Sequence, residues 1–166
     1  PVQAEVPPCQ PTFSGFTWAS MPIRYRVTDP AIRADVLKAT EVWRAPGLAF
    51  QEDEGAWSSI KLGPVPFPWV GLAYIETYPG TSHFRLFGIT VSDKLAPESR
   101  VQVLTHELGH AIGLDHPSPD CSETIMSQFM GQGYYPGLYP TDVIARDRVY
   151  PPAHTVFLPH LPKLPS

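Results

Sequence analysis

His106-Glu107-Leu108-Gly109-His110-Ala111-Ile112-Gly113-Leu114-Asp115-His116 is the stretch around which the rest of the chain can be placed. His106 and His110 are four residues apart, so on a helix their imidazoles lie one above the other on one face. Two imidazoles so placed can reach one metal ion. Glu107 sits about 100° further round the same helix, near that ion without stacking on the histidines, which suits a base acting on an activated water. Gly113 can adopt a left-handed conformation and stop the helix. The reversed chain would then bring in His116 as a third nitrogen. Three protein ligands leave a fourth tetrahedral position open, the arrangement of a catalytic rather than a structural zinc site. The short His-Glu-x-x-His pattern occurs by chance in unrelated helices. The longer His-Glu-x-x-His-x-x-Gly-x-x-His pattern fixes five positions and is far harder to meet by accident.

The whole chain bounds what that motif can belong to. Its 166 residues predict one domain, with 43% apolar and 17% charged residues making an ordinary core under a lightly charged surface. A formal charge of −4 offers no basic stripe for nucleic acid. No apolar run approaches the ~18 residues that a membrane span needs. No signal peptide is visible, and Pro1-Val2-Gln3-Ala4 reads as the start of a processed chain. Proline is in excess, 21 residues, gathered at both ends and at Pro64, Pro66 and Pro68. Residues 1–12 and 151–166 therefore read as Pro-rich segments flanking a domain over 13–150.

Within that domain, the stretch from Trp18 to Val27 contains a period-two alternation over residues 22–27 that predicts a strand. Asp29-Pro30 predicts a helix start, and Ile32, Val36, Ala39 and Trp43 recur at helical spacing until Pro46-Gly47. Further strands are expected from Leu48, over Trp57–Leu62, over Gly71–Ile75 and over Phe84–Val91. Glu52-Asp53-Glu54 reads as a solvated turn in preference to a calcium site. A helix over about 98–112 should pack Val101, Leu104, Leu108 and Ala111 on the face opposite the histidines. A last helix, capped by Thr141, should run from Asp142 to Tyr150 with Val143, Ile144 and Val149 turned inward.

The motif, with Thr124-Ile125-Met126-Ser127 ten residues beyond His116, resembles the metzincin metalloproteases. Among these it is most similar to the matrixins, whose active helix often reads His-Glu-Leu-Gly-His-x-x-Gly-Leu-x-His. A weaker match is Trp18 with Ile23, Tyr25 and Val27. The resemblance implies a secreted zinc endopeptidase: one zinc on His106, His110 and His116, Glu107 as base, and Met126 beneath the metal without binding it. It implies an α/β fold with a twisted five-stranded mixed sheet, two long helices and a small C-terminal subdomain. It makes residues 70–75 an edge strand bordering the cleft, so Leu72, Ala73 and Tyr74 are candidates to align a peptide substrate. The segment from Gln128 to Tyr139, with Phe129, Tyr134 and Tyr135, would wall the pocket for the residue after the scissile bond; the plainer reading is an aromatic loop. Pro117, where matrixins usually carry Ser, looks more like the serralysins. Gln128 stands where serralysins and astacins place a Tyr. His83 lacks the His and Asp set that holds a second zinc in vertebrate matrixins, and calcium dependence is left open.

Cys9 and Cys121 have three readings: a disulfide, two buried free thiols, or a Cys9 thiolate inhibiting the metal. Pro8-Cys9-Gln10-Pro11 lacks the Arg and Gly that flank the matrixin inhibitory cysteine, and a secreted chain favours the disulfide. The expected partner is a protein or peptide substrate, on a monomer. Two rival functions stand beside the endopeptidase: a non-catalytic zinc-bound adhesion or binding module, which would not need Glu107, and a zinc amidase acting on non-peptide amides.

Overall fold

The computed structural model describes residues 9–128 and 137–152. Phe129, Tyr134, Tyr135 and most of the Pro-rich tail lie outside the described residues. Strand β1 is Thr12–Phe13, β2 Ile23–Val27, β3 Phe50–Glu52, β4 Ser59–Gly63, β5 Gly71–Thr77, β6 Phe84–Ser92 and β7 Leu114–Asp115. The helices are α1 Arg33–Trp43, α2 Pro97–Ala111 and α3 Pro140–Val149.

Five of the strands form one mixed sheet in the order β3-β2-β4-β6-β5. β2 alternates strictly, with Ile23, Tyr25 and Val27 buried and Arg24 and Arg26 exposed, as a strand with one wet face requires. β3 and β4 run parallel to β2, and β6 runs parallel to β4. Parallel neighbours need a crossover, and α1 supplies the one between β2 and β3. β5 pairs antiparallel with β6 alone and closes the sheet as an edge strand. The chain is thus a mixed α/β domain with a five-stranded sheet and three helices among the described residues.

The first crossover starts as the sequence predicts. The Asp29 carboxylate accepts a hydrogen bond from the Ala31 N–H at 2.9 Å, and Pro30 opens a 3-10 turn leading into α1. Ile32, Val36, Ala39 and Trp43 are fully buried. The Trp43 indole N–H donates to the Thr105 carbonyl at 2.7 Å, pinning α1 to α2. β2 starts at Ile23, in line with the expected strand, and Trp18 upstream of it packs its ring on Phe84 and Phe87, with centroids 5.6 and 6.1 Å away. Two strands begin later than expected; β3 starts at Phe50 rather than Leu48. β4 starts at Ser59, which leaves Trp57 outside the sheet and 68% exposed.

The packing of α2 also differs. Every residue from Val103 to Gly109 is buried, histidine face included, while Val101 is only half-buried. Leu104, Leu108 and Ala111 pack opposite the histidines as expected, but the histidine side is covered too. Here the sheet and α1 cover one side, and the chain that returns after the helix covers much of the other.

That return depends on Gly113. It has φ +97°, and a Cβ built there would stand 2.5 Å from the Phe16 carbonyl oxygen. Only glycine accepts both the left-handed backbone and the close approach. Its N–H donates to the His110 carbonyl and its own carbonyl accepts from the Ser14 N–H, both at 3.0 Å. β7 then pairs antiparallel with β1. Cys9 and Cys121 form a disulfide, Cα atoms 5.3 Å apart, across a separation of 112 residues. This settles the choice among the three cysteine readings. Loop-closure entropy assigns a crosslink of such span about 4–5 kcal/mol of stabilisation.

α3 departs from expectation at its start. It begins at Pro140, and Thr141 lies inside the helix rather than capping it. The Asp142 carboxylate turns back to accept the Tyr139 N–H at 3.0 Å. Asp142 and Ala145, one turn apart, face the core. Ile144 lies about 200° round from Asp142 and is 65% exposed instead of packed. No helix among the described residues is long and apolar enough to cross a membrane.

Candidate metal centre

Helix α2 carries His106 and His110, and the turn at Gly113 delivers His116. The Nε2 atoms of His106 and His110 each lie 3.1 Å from Nε2 of His116. One ligand atom from each residue falls within 4.8 Å of the others, and these three residues are the only such group among the described residues. Three nitrogens bound to a tetrahedral zinc at ~2.0–2.1 Å would stand roughly 3.3 Å apart, so the spacing fits.

The hydrogen bonds behind the rings support the fit. His106 Nδ1–H donates to the Ile125 carbonyl at 2.7 Å, and His110 Nδ1–H donates to the Leu114 carbonyl at 2.9 Å. In the neutral rings this fixes the tautomer and leaves both Nε2 lone pairs aimed at His116. His116 Nε2 can donate to at most one of them. At least one of the two 3.1 Å contacts is therefore left without a proton of its own, as suits nitrogens gathered round a shared cation. Burial, followed by repulsion from His110, pushes the His106 pKa down to about 3. Burial likewise lowers those of His110 and His116. All three rings are neutral near pH 7, the form a metal requires.

Glu107 is buried on the cleft side of α2, and burial pushes its carboxyl up to about 7, partly opposed by a hydrogen bond from the Ala73 N–H. A cation on the adjacent imidazoles adds an opposite charge and draws that value back down. Gly71 makes the approach of β5 to this carboxylate possible: a Cβ there would come within 2.5 Å of Glu107 Oε1 and 2.7 Å of Val103 Cγ1. The cleft is a cavity of about 250 Å³ between β5 and α2, and Leu72 and Ala73 line it beside the three histidines and Glu107. Tyr74 is exposed and does not line it; its hydroxyl donates to Glu76 at 2.9 Å. Val70, from the expected edge strand over 70–75, and Gln128, from the expected wall over 128–139, line it as well, together with Trp69, which was not foreseen. Trp69 ends the Pro-rich loop directly before the edge strand, a position from which it could have been inferred.

Met126 is buried beneath α2, where a Cβ on Gly109 would overlap its sulfur. The turn that holds it depends on Asp142, which sequence reasoning treated only as the first residue of a helix. The buried Asp142 carboxylate accepts from the Thr124 hydroxyl, the Ile125 N–H at 2.9 Å and the Tyr139 N–H at 3.0 Å. Thr124 Oγ1 in turn accepts the Met126 N–H at 3.0 Å. Burial raises the Asp142 pKa against those hydrogen bonds. The Ile125 carbonyl that orients His106 therefore hangs on Asp142. A buried donor left without a partner costs ~1–3 kcal/mol. Asp142→Ala, which strands three donors, should destabilise the fold by on the order of 3–5 kcal/mol. It should weaken metal retention by ~10–100-fold, as loss of a ligand's supporting contact does. Thermal unfolding and competition against a chelator measure the two effects separately.

No family model and no curated protein matches the chain. Among solved structures, one described as the GM1 bound form of the ECX AB5 holotoxin is similar, with a TM-score of 0.52 and 14% identity. The match covers 76% of this chain and 79% of that one. At that identity the likeness speaks for the fold alone. These comparisons correct the family expectation. No metzincin model, matrixin-like or serralysin-like, matches, and the similar structure is that of a toxin assembly. The chain is therefore assigned neither to the metzincins nor to their named fold.

Proposed function

We propose that the chain is a secreted zinc-dependent endopeptidase. The observation that carries the reading is the convergence of three neutral imidazole nitrogens on one point, beside a carboxylate that is not part of the set. The reading rests on this chemistry and not on family membership. Nitrogen donors of this kind suit zinc among the common divalent ions. A zinc held there by His106, His110 and His116 would act as a Lewis acid on a carbonyl and make a neighbouring water more acidic. Glu107 accepts the proton of the attacking water and delivers it to the leaving amine. β5 offers an open sheet edge beside the cleft, to which an extended peptide can add as a strand. Leu72, Ala73 and Trp69 then border the peptide, and the apolar walls limit water around the carboxylate. The disulfide is compatible with an oxidising, extracellular compartment.

A zinc-bound adhesion module has no use for a buried carboxylate beside its metal, and a small-amide hydrolase has no use for an open strand edge. Assay of casein against small aryl amides separates these readings. Casein should be cut at internal bonds and the small amides spared. Amide hydrolysis without casein cleavage would favour the amidase.

A further inference from the structure

Residues 9–18 supply no ligand to the metal centre, yet they run along the turn that delivers His116. β1 lies beside β7, with Thr12 opposite Asp115 and Phe13 opposite Leu114. The Ser14 N–H holds the Gly113 carbonyl at 3.0 Å. The Phe16 carbonyl stands against Gly113 where no side chain would fit. The Trp18 indole N–H donates at 2.8 Å to the carbonyl of Ala111, the last residue of α2. Carbonyls at that end of a helix have no partner within it.

Both carbonyls that orient the ligand rings are tied to this strap. Leu114, whose carbonyl accepts from His110, is paired with Phe13. Ile125, whose carbonyl accepts from His106, follows closely on Cys121, which is bonded to Cys9. Between those points Pro11 and Thr12 share a residual space of only about 10 Å³ with Leu114, Thr124 and Met126. The strap therefore packs at once on the returning chain and on the methionine turn. Cys121 is buried and Cys9 half-buried, so one sulfur of the bond is within reach of an external thiolate.

We propose that residues 9–18 position the zinc ligands and that the Cys9–Cys121 bond latches them: its reduction by a dithiol speeds metal loss from a chain that stays folded. A thiolate of the dithiol attacks Cys9 Sγ, and Cys121 Sγ leaves and takes up a proton. The second thiolate then displaces Cys9. Two protein thiols and one cyclic disulfide result, so two electrons pass from the dithiol to the protein. The proposal rests on the metal half of the reading above and needs neither Glu107 nor hydrolysis.

The test mixes the zinc-loaded whole chain with an excess of a chromogenic chelator and follows zinc release. The chain is used oxidised, reduced with the dithiol then removed under argon, and reoxidised. Reduction should speed release by about tenfold or more, the scale on which a ligand's supporting contacts act, with circular dichroism unchanged, and reoxidation should reverse it. Cys9→Ser with Cys121→Ser should match the reduced chain. Val27→Ala, which cuts into the core at β2, should lower thermal stability yet release zinc at the wild-type rate. Equal release by oxidised and reduced folded chains, or acceleration by Val27→Ala as large as by reduction, would overturn the proposal. Should reduction unfold the chain, Trp18→Phe with the bond intact decides: faster release supports the strap and unchanged release overturns it. An oxidised chain that takes up no zinc would remove the metal centre itself.

Discussion

His110→Ala should yield a folded chain that neither retains zinc nor hydrolyses protein. His110 Nε2 is one of the three nitrogens that meet at the site, and its Nδ1–H holds the Leu114 carbonyl where the chain reverses. Removing it leaves two nitrogens and a turn still fixed by Gly113, by pairing of β7 with β1 and by the Cys9–Cys121 disulfide. The fold therefore survives while the site does not. Structural zinc sites bind with ~10–16 kcal/mol over four ligands. Loss of one ligand should thus cost on the order of 10²–10³ in affinity, enough to empty the site after dialysis against a mild chelator. Elemental analysis beside circular dichroism reads both halves of the prediction. Full zinc retention would place the metal elsewhere.

Glu107→Ala should behave differently in kind. Glu107 is not among the three converging nitrogens, so zinc content should stay at one per chain. Hydrolysis should fall by ~10²–10⁴-fold, the usual contribution of a general base. The acid side of the pH profile gives a second reading. Burial raises the carboxyl to about 7, and a bound cation lowers it, so activity should fall as pH drops through a value at or below 7. The protonated acid cannot accept a proton. The residual activity of Glu107→Ala should lack that limb. Wild-type hydrolysis by the variant, with its zinc in place, would remove Glu107 from the mechanism.

The site was legible because its geometry is local. Spacings of four and six residues on one helix and its turn fix His106, His110 and His116, and Gly113 states its own backbone requirement. The sheet was legible from alternation, as in β2, although the starts of β3 and β4 were not. Trp57 looks like a strand residue by propensity, but the folded chain leaves it in solvent. Asp142 was not legible, because its partners Thr124 and Ile125 are 18 and 17 residues away and only the folded chain brings them together. Gly109 did carry a signal: glycine inside a helix costs roughly 1 kcal/mol against alanine, and here it admits the Met126 sulfur. The motif also misled. A local arrangement of ligands does not carry family membership, and no family model extends it to the rest of the chain.

The most direct measurement is casein hydrolysis by one preparation in three states: as purified, stripped of metal by a chelator, and restored with one equivalent of zinc. Hydrolysis should be present, lost and regained in step with zinc bound at His106, His110 and His116. Undiminished hydrolysis by the stripped chain, or none by a folded chain carrying its full zinc, would contradict the assignment of a zinc endopeptidase.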